Sequence, residues 1–479
     1  MKNFSDSKLN IGLFGIGLDT YWPQFEGLKD RLEVYLEEVE NNLKKLHPEI
    51  INVGLVDSPD KAFHVGSIFR REEVDIIFLY VTTYALSSTV LPVLQLTQVP
   101  VIVLNLSPSG SIDYTHFNTL NDRTKMTGEW LAHCSPCPVP EIANVFNRTG
   151  IPFHQVTGML HGDPECWNEI SEWVEAARVR SKMAYNRLGC MGHYYSGMLD
   201  IYTDLTLQYS TFGGHIELIE VEELAALRKQ IGKEDIDNRL NEFRKVFDIQ
   251  GDCSDEDLRN SACTSVALDR LVEQYKLGSM AYYYKGTGNP ENEETIASII
   301  LGNSLLTGRG IPVAGEYEIK NVQAMKILDS FGVGGSFTEY YAMDFDSDVV
   351  LMGHDGPGHI AIAEGKTKVR PLEVYHGKVG RGVSVEISVK NGPVTLLSVV
   401  EKPGDGLILL YAEAESVPGP ILEIGNTNSR YKFSIGARKF VNEWNSYGPA
   451  HHCAIGVGHI GSKIEKLGKL LKMDVIKVC

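Results

Sequence analysis

The apolar positions of the chain follow two rhythms, and the switch between them predicts its elements. Leu9–Gly17 is a largely apolar run that ends in glycines, the pattern of a strand covered on both faces. Phe25, Leu28, Leu32, Tyr35, Val39, Leu43 and Leu46 then recur at three- and four-residue spacing, which predicts a long amphipathic helix. Ile51–Val56, Val74–Val81 and Val99–Leu106 are further apolar runs with helical patterns between them. This alternation predicts a buried parallel sheet with right-handed crossovers. A polar helical stretch, Ser171–Ala184, leads into a second series. There Asn186–Gly192, Ile216–Val221, Met280–Tyr284 and Pro312–Gly315 read as strands, and Ile236–Phe247, Asp255–Tyr275 and Glu293–Leu306 as helices.

Beyond about residue 331 the rhythm becomes two-residue alternation. Gly382–Lys390 reads as a strand, Asn391-Gly392 as a hairpin turn, and Val394–Val400 and Leu407–Glu413 as a continuing meander. Ser434–Trp444 and Ser462–Lys472 read as helices. The predicted fold is therefore α/β: two doubly wound parallel-sheet domains, residues 1–178 and 179–331, followed by a mostly antiparallel, barrel-like domain, residues 332–479.

Length supports several domains, since 479 residues exceed what one core organises. A formal charge of −17 argues against nucleic acid or an anionic membrane as partner. Eight cysteines in so long a chain are not a disulfide framework. The first residues lack an apolar signal region, and no run reaches membrane-spanning length, so the expectation is a cytoplasmic protein.

Candidate chemistry gathers between Pro312 and His359. Glu316 follows the β-compatible residues Ile311 and Val313, Glu339 sits in Gly-Ser-Phe-Thr-Glu-Tyr-Tyr, and His354 follows Val349–Met352. His451-His452 lies about a hundred residues further on. Each group alone is more often a solvated strand end or a satisfied histidine than a ligand. Together, two glutamates and two histidines from separate segments suit a divalent ion such as Mn²⁺. Two short motifs read differently. Cys134-Ser-Pro-Cys137 lacks a second pair or a redox context, so a proline-bounded turn is expected. Gly456-Val-Gly458-His-Ile-Gly461 matches a dinucleotide fingerprint with Asp474 downstream, yet no second half-site follows it, so a glycine-rich strand-to-helix turn is expected.

The segments Gly-Glu-Tyr-Glu-Ile-Lys, Gly-Gly-Ser-Phe-Thr-Glu-Tyr-Tyr, Val-Leu-Met-Gly-His and Ala-His-His-Cys resemble, in order and approximate spacing, segments of the L-arabinose isomerase family. Thr338 and Tyr340 stand where that family usually has Met and Asp, which makes this a divergent member. The resemblance implies an aldose–ketose isomerase of the L-arabinose to L-ribulose type. It implies one Mn²⁺, or Co²⁺ or Mg²⁺, held by Glu316, Glu339, His354 and His452, with both glutamates moving protons through an enediolate. It also implies a homo-oligomer, trimeric or hexameric, in which His133 reaches a neighbour's sugar pocket. Tyr283, in the triplet Tyr282-Tyr283-Tyr284, falls near the family's aromatic wall. His451 and Tyr21, the latter in the segment standing for the family's N-terminal signature, are further sugar-binding candidates. Three alternatives stay open: an isomerase of a different aldose, of the fucose isomerase kind; a metal-dependent aldolase or hydrolase; and a non-catalytic sugar-binding protein.

Overall fold

The computed structural model describes residues 9–286, 288–372, 381–404 and 406–479. The chain forms two compact units, the first ending at Ser181 and the second running from Lys182 to Cys479.

In the first unit five parallel strands lie in the order Ile50–Val56, Ile11–Ile16, Ile76–Tyr80, Val101–Ser107, Phe153–Met159. The three central strands are buried almost throughout, which is why they read as unbroken apolar runs. The helix Leu28–Leu46 buries Leu28, Leu32, Val39 and Leu43 of the predicted stripe, with Leu36 buried where the pattern predicts Tyr35. Ser58 caps the helix Pro59–Arg71, its hydroxyl accepting from the Lys61 N–H at 3.4 Å.

The second unit begins with four parallel strands in the order Val313–Ala314, Ser279–Tyr283, Arg187–Gly192, His215–Ile219. Met191, Leu268, Met280, Tyr282, Leu301 and Val313 form part of its core. Six antiparallel strands then close into a barrel: Gly392–Lys402, His452–Val457, Ser336–Asp344, Val349–His354, Thr427–Phe433 and Gly406–Val417, the last pairing back to the first. The fold class expected from the pattern is the one observed. The dinucleotide-like glycine motif follows an antiparallel barrel strand and opens the helix Gly461–Leu471, so it is a strand-to-helix turn.

Two local expectations fail for identifiable reasons. The Asn391-Gly392 hairpin does not form. Gly382–Glu386 pairs instead with Lys368–Leu372 in a separate three-stranded sheet, and Gly392, at φ 118°, marks the crossing from that sheet into the barrel. The hairpin proper joins Gly392–Lys402 to Gly406–Val417. The single helix expected over Glu293–Leu306 is two, Pro290–Ala297 and Ile300–Gly308. At the break the Ser298 hydroxyl bonds back to the Glu294 and Thr295 carbonyls at 2.7 and 3.2 Å, competing with helical continuation. No helix among the described residues is long and apolar enough to cross a membrane.

Candidate metal and active site

Glu316 stands just past the short strand Val313–Ala314, at the C-terminal edge of the second parallel sheet, where α/β folds present reactive groups. Its backbone is left-handed at φ 58°, as is that of Tyr317 at φ 63°. Such angles are costly for residues with a side chain, and they mark positions the surroundings force. Here the forcing contacts are visible. The Tyr317 N–H donates to the Tyr282 carbonyl at 3.0 Å, and the Glu318 N–H to the Gly315 carbonyl at 3.0 Å. The helix Ile319–Ser330 starts immediately afterwards and is buried along nearly its whole length.

The barrel supplies the rest. Its register sets Glu339 directly opposite His452 on one side and Gly353 on the other. Gly353 has to be glycine, because a Cβ there would lie 1.8 Å from the Thr427 carbonyl oxygen. Thr427 also fixes the next residue, accepting from the His354 N–H at 3.0 Å and donating to the His354 carbonyl at 2.9 Å. The Phe337 ring packs against both imidazoles, its centre 4.3 Å from that of His354 and 4.4 Å from that of His452.

Donor atoms converge on Glu316. His452 Nε2 lies 3.4 Å from its Oε2, His451 Nε2 lies 3.8 Å from the same oxygen, and His354 Nε2 lies 3.9 Å from Oε1. Glu339 enters through His451, whose Nε2 is 3.9 Å from Glu339 Oε2. The tightest set is Glu316, His451 and His452, whose ligand atoms all lie within 4.8 Å of one another. Two ligands each about 2.1 Å from one ion stand roughly 3–3.6 Å apart at angles of 90–120°. Orphaned atoms point the same way. Glu316 Oε2, His354 Nδ1 and both ring nitrogens of His452 are buried without a hydrogen-bond partner. Buried polar atoms are normally satisfied, so this cluster of carboxylate and imidazole donors fits a divalent cation.

Electrostatics keep the donors in ligating form. Burial pushes both His354 and His452 down to about 3, helped by the adjacent imidazoles, so both are neutral at pH 7. Burial opposes ionisation of Glu316, but the surrounding histidines outweigh it and hold its carboxyl at about 2. His451 is the exception. Burial disfavours its charge, yet the carboxylates of Glu316 and Asp200 raise it to about 9.

Two carboxylates that sequence reading missed stand behind the histidines. Asp200 Oδ2 accepts from the His451 backbone N–H at 2.9 Å and meets its Nδ1 at 2.6 Å. Asp200 is itself held by Lys320, whose Nζ donates to its carbonyl at 2.5 Å. Glu318 lies behind His452, its Oε2 3.6 Å from Nδ1. Burial raises its carboxyl to about 8. Nothing in the local sequence flags Asp200, which is 251 positions from His451. Glu318 had one signal, its place two residues after Glu316 at a helix start.

A cleft of about 670 Å³ opens beside Glu339, bounded by Asp252, Tyr341, Asp355, Arg370 and Asn426 among others. Its volume falls in the usual range for small-molecule sites. Tyr283 packs against Tyr195 with ring centres 4.6 Å apart and the planes tilted by 32°. Tyr21 and His133 belong to the first unit, where Tyr21 packs at 5.8 Å on Phe25 and His133 Nδ1 meets the Glu129 carbonyl at 3.1 Å. Cys134, of the C-x-x-C, is buried and its thiol is pushed up to about 12, a poor nucleophile.

A carboxylate and imidazoles thus gather at the end of a parallel sheet, beside a closed barrel, with Glu339 lining a cleft. Comparison with known proteins narrows the class. Residues 334–474 match the L-arabinose isomerase C-terminal domain. An L-arabinose isomerase of Nocardioides sp. is 23% identical over 348 residues, which cover 68% of this chain and 67% of that protein. The chain is thus similar to L-arabinose isomerases over these stretches, and the similarity supports an enzyme. Solved structures overlay only loosely. A periplasmic solute-binding protein from Actinobacillus succinogenes with bound D-allose gives a TM-score of 0.17 at 12% identity, covering 61% of this chain and 83% of that one. A solute-binding protein from Burkholderia multivorans gives 0.16 at 12% identity, covering 68% and 93%.

Proposed function

We propose that the protein is a divalent-metal-dependent aldose–ketose isomerase acting on a pentose or a related sugar, of the L-arabinose to L-ribulose type. The observation that carries this reading is the convergence of orphaned carboxylate and imidazole donors on Glu316, with His354 and His452 inside the stretch that matches an isomerase domain and Glu316 just before it. Glu316, His452 and His354 would hold the ion, with Glu339 and His451 at its open side. Mn²⁺ suits this mixed oxygen and nitrogen set, as do Co²⁺ and Mg²⁺ to differing degrees. When bound, the ion supplies Lewis-acid polarisation of the sugar's carbonyl and adjacent hydroxyl oxygens.

The protein's own groups then carry the protons. Isomerisation moves one proton between neighbouring carbons and another between their oxygens. Glu316 stays ionised well below neutral pH and can accept the carbon-bound proton of the substrate and return it to the adjacent carbon. Glu339, half-buried at the cleft, can relay the hydroxyl proton. The cationic His451 between them offsets negative charge developing on an enediolate.

The test is a screen of aldopentoses and aldohexoses in D₂O with added Mn²⁺, scoring ketose by chromatography and deuterium at the first two carbons by NMR. Ketose carrying solvent deuterium is the expected result. Absence of ketose from every sugar would remove the proposal. Ketose formed without deuterium would replace proton transfer with a hydride shift. We extend the reading to a cytoplasmic homo-oligomer, a trimer or hexamer, in which His133 and Tyr21 serve a neighbouring copy. A fully active, sharply monomeric species in analytical ultracentrifugation would exclude that extension.

A further inference from the structure

We infer that Glu318 is the positioning residue of His452: its buried carboxyl takes the Nδ1–H of that imidazole and so leaves Nε2 bare and aimed at Glu316. The inference rests on the metal-site reading above and names a residue that reading does not use.

Glu318 is fully buried, with no exposed surface, and His452 is 1% exposed. Neither carboxyl oxygen of Glu318 has a hydrogen-bond partner, and neither does Nδ1 of His452. The two groups stand 3.6 Å apart. A carboxyl group in a core costs several kcal/mol unless something answers it. Its position at the start of a helix brings it toward the first-turn N–H of Asn321, which favours the ionised form, yet neither oxygen reaches hydrogen-bond geometry there. His452 is the polar group that faces it. An imidazole that binds a cation through one nitrogen presents a proton on the other, and a carboxyl oxygen that accepts it fixes both tautomer and ring orientation. With Phe337 packed 4.4 Å from the ring, the remaining freedom of His452 is rotation about its bonds, which a partner at Nδ1 removes.

The placement also has a structural logic. Glu316 and Glu318 flank the left-handed Tyr317, so one strained turn sets a carboxylate on each side of the same imidazole. A bland helix-capping glutamate would lie at the surface, whereas Glu318 is fully buried.

Two measurements on the full chain decide the matter. Imidazole ¹⁵N NMR of metal-free protein should show His452 as the Nδ1–H tautomer, and Glu318→Leu should lose that preference. Calorimetric Mn²⁺ titration should show affinity weakened by about 10–100-fold in Glu318→Leu, the range seen when such an outer partner is lost, and by less in Glu318→Gln. Circular dichroism checks that each variant is folded. An Nε2–H tautomer in the wild-type protein, or Mn²⁺ affinity within about twofold of wild type in a folded Glu318→Leu, would overturn the inference. If Glu318→Leu does not fold, the wild-type tautomer alone decides it. If the wild-type protein binds no Mn²⁺, the metal-site reading falls, and the tautomer still tests Glu318 separately.

Discussion

The two parallel sheets of this protein end differently. At the loops that follow the strands of the first unit, polar side chains are answered by nearby groups. The Trp22 indole donates to Asp57 at 2.9 Å, Thr83 donates to the Leu131 carbonyl at 2.7 Å, and Asp163 accepts the Met159 and Cys166 N–H groups, each at 3.0 Å. At the end of the second sheet, Glu316, Glu318, His354 and His452 all keep buried, unanswered atoms among the described residues. Both ends share a fold and a location relative to their strands. What separates them is hydrogen-bond closure: a closed set is scaffold, and an open, buried set of ligand-type atoms is where a cation and substrate complete the structure.

Substitution at the open end should break chemistry, and the largest effect is expected at Glu316. Glu316→Gln keeps its size and one oxygen donor but removes the base, so kcat should fall at least about 100-fold with metal still bound. Near-normal kcat at saturating Mn²⁺, with bound metal counted in the same sample, would dissolve the contrast between the two ends. Metal removal should come next. Chelation should abolish turnover and lower thermal stability, and Mn²⁺ at about 100 times its dissociation constant should restore about 2.7 kcal/mol of stability. A melting temperature unmoved by either treatment would count against an ion at the open end.

Acid sharpens the comparison further. His354 and His452 take protons only near 3 when folded but near their ordinary 6.5 when unfolded. The unfolded state therefore binds more protons between those values. Stability present above about 6.5 is lost as pH falls toward 3, by at most about 1.4 kcal/mol per pH unit for each histidine. Glu316 adds to the loss between its ordinary 4.5 and about 2. His451 acts in the opposite sense, its contribution being complete below 6.5 and lost as pH rises through about 9. Denaturant titrations at pH 7 and pH 5 should show a steeper decline for wild type than for His354→Gln. Equal slopes would mean that the imidazole is not buried in neutral form.

At the closed end, effects should be smaller and confined to stability. Asp163→Ala removes two N–H acceptors at the start of the helix Pro164–Ala184 and should cost about 1 kcal/mol, with Mn²⁺ affinity unchanged by calorimetry. The smallest effect is expected at Gln98, an exposed residue that ends the helix Leu91–Thr97 with φ 54°. Gln98→Gly relieves a left-handed side-chain residue and should raise stability by up to about 1 kcal/mol, read as a small gain in denaturant midpoint. Its left-handed backbone serves only as a helix cap, whereas the one at Glu316 aims a donor.

Periodicity carried the fold class a long way. The stripe along Leu28–Leu43, the buried strands of both sheets and the strand expected over Leu407–Glu413 are local consequences of which faces each element buries, and a linear pattern records such faces directly. Glu316, Glu339, His354 and the His451-His452 pair were visible too, because each sits beside an apolar run as a residue type suited to ligation. The failures share a cause. Whether Asn391-Gly392 closes a hairpin depends on which strand Gly382–Glu386 pairs with, and that is a long-range choice. The division of labour within the site is likewise long-range. Barrel register set Glu339 opposite His452, the turn at Glu316 and Tyr317 brought in a carboxylate from another sheet, and Lys320 anchored Asp200 against a histidine from the far end of the chain. By itself the sequence determined the elements, the class of fold and the chemical types available at the site, since those follow from side-chain identity and local period. Tertiary structure alone decided which donors meet, which stay unpaired and which histidines remain neutral, because burial and distance between residues hundreds of positions apart exist only once the chain has folded.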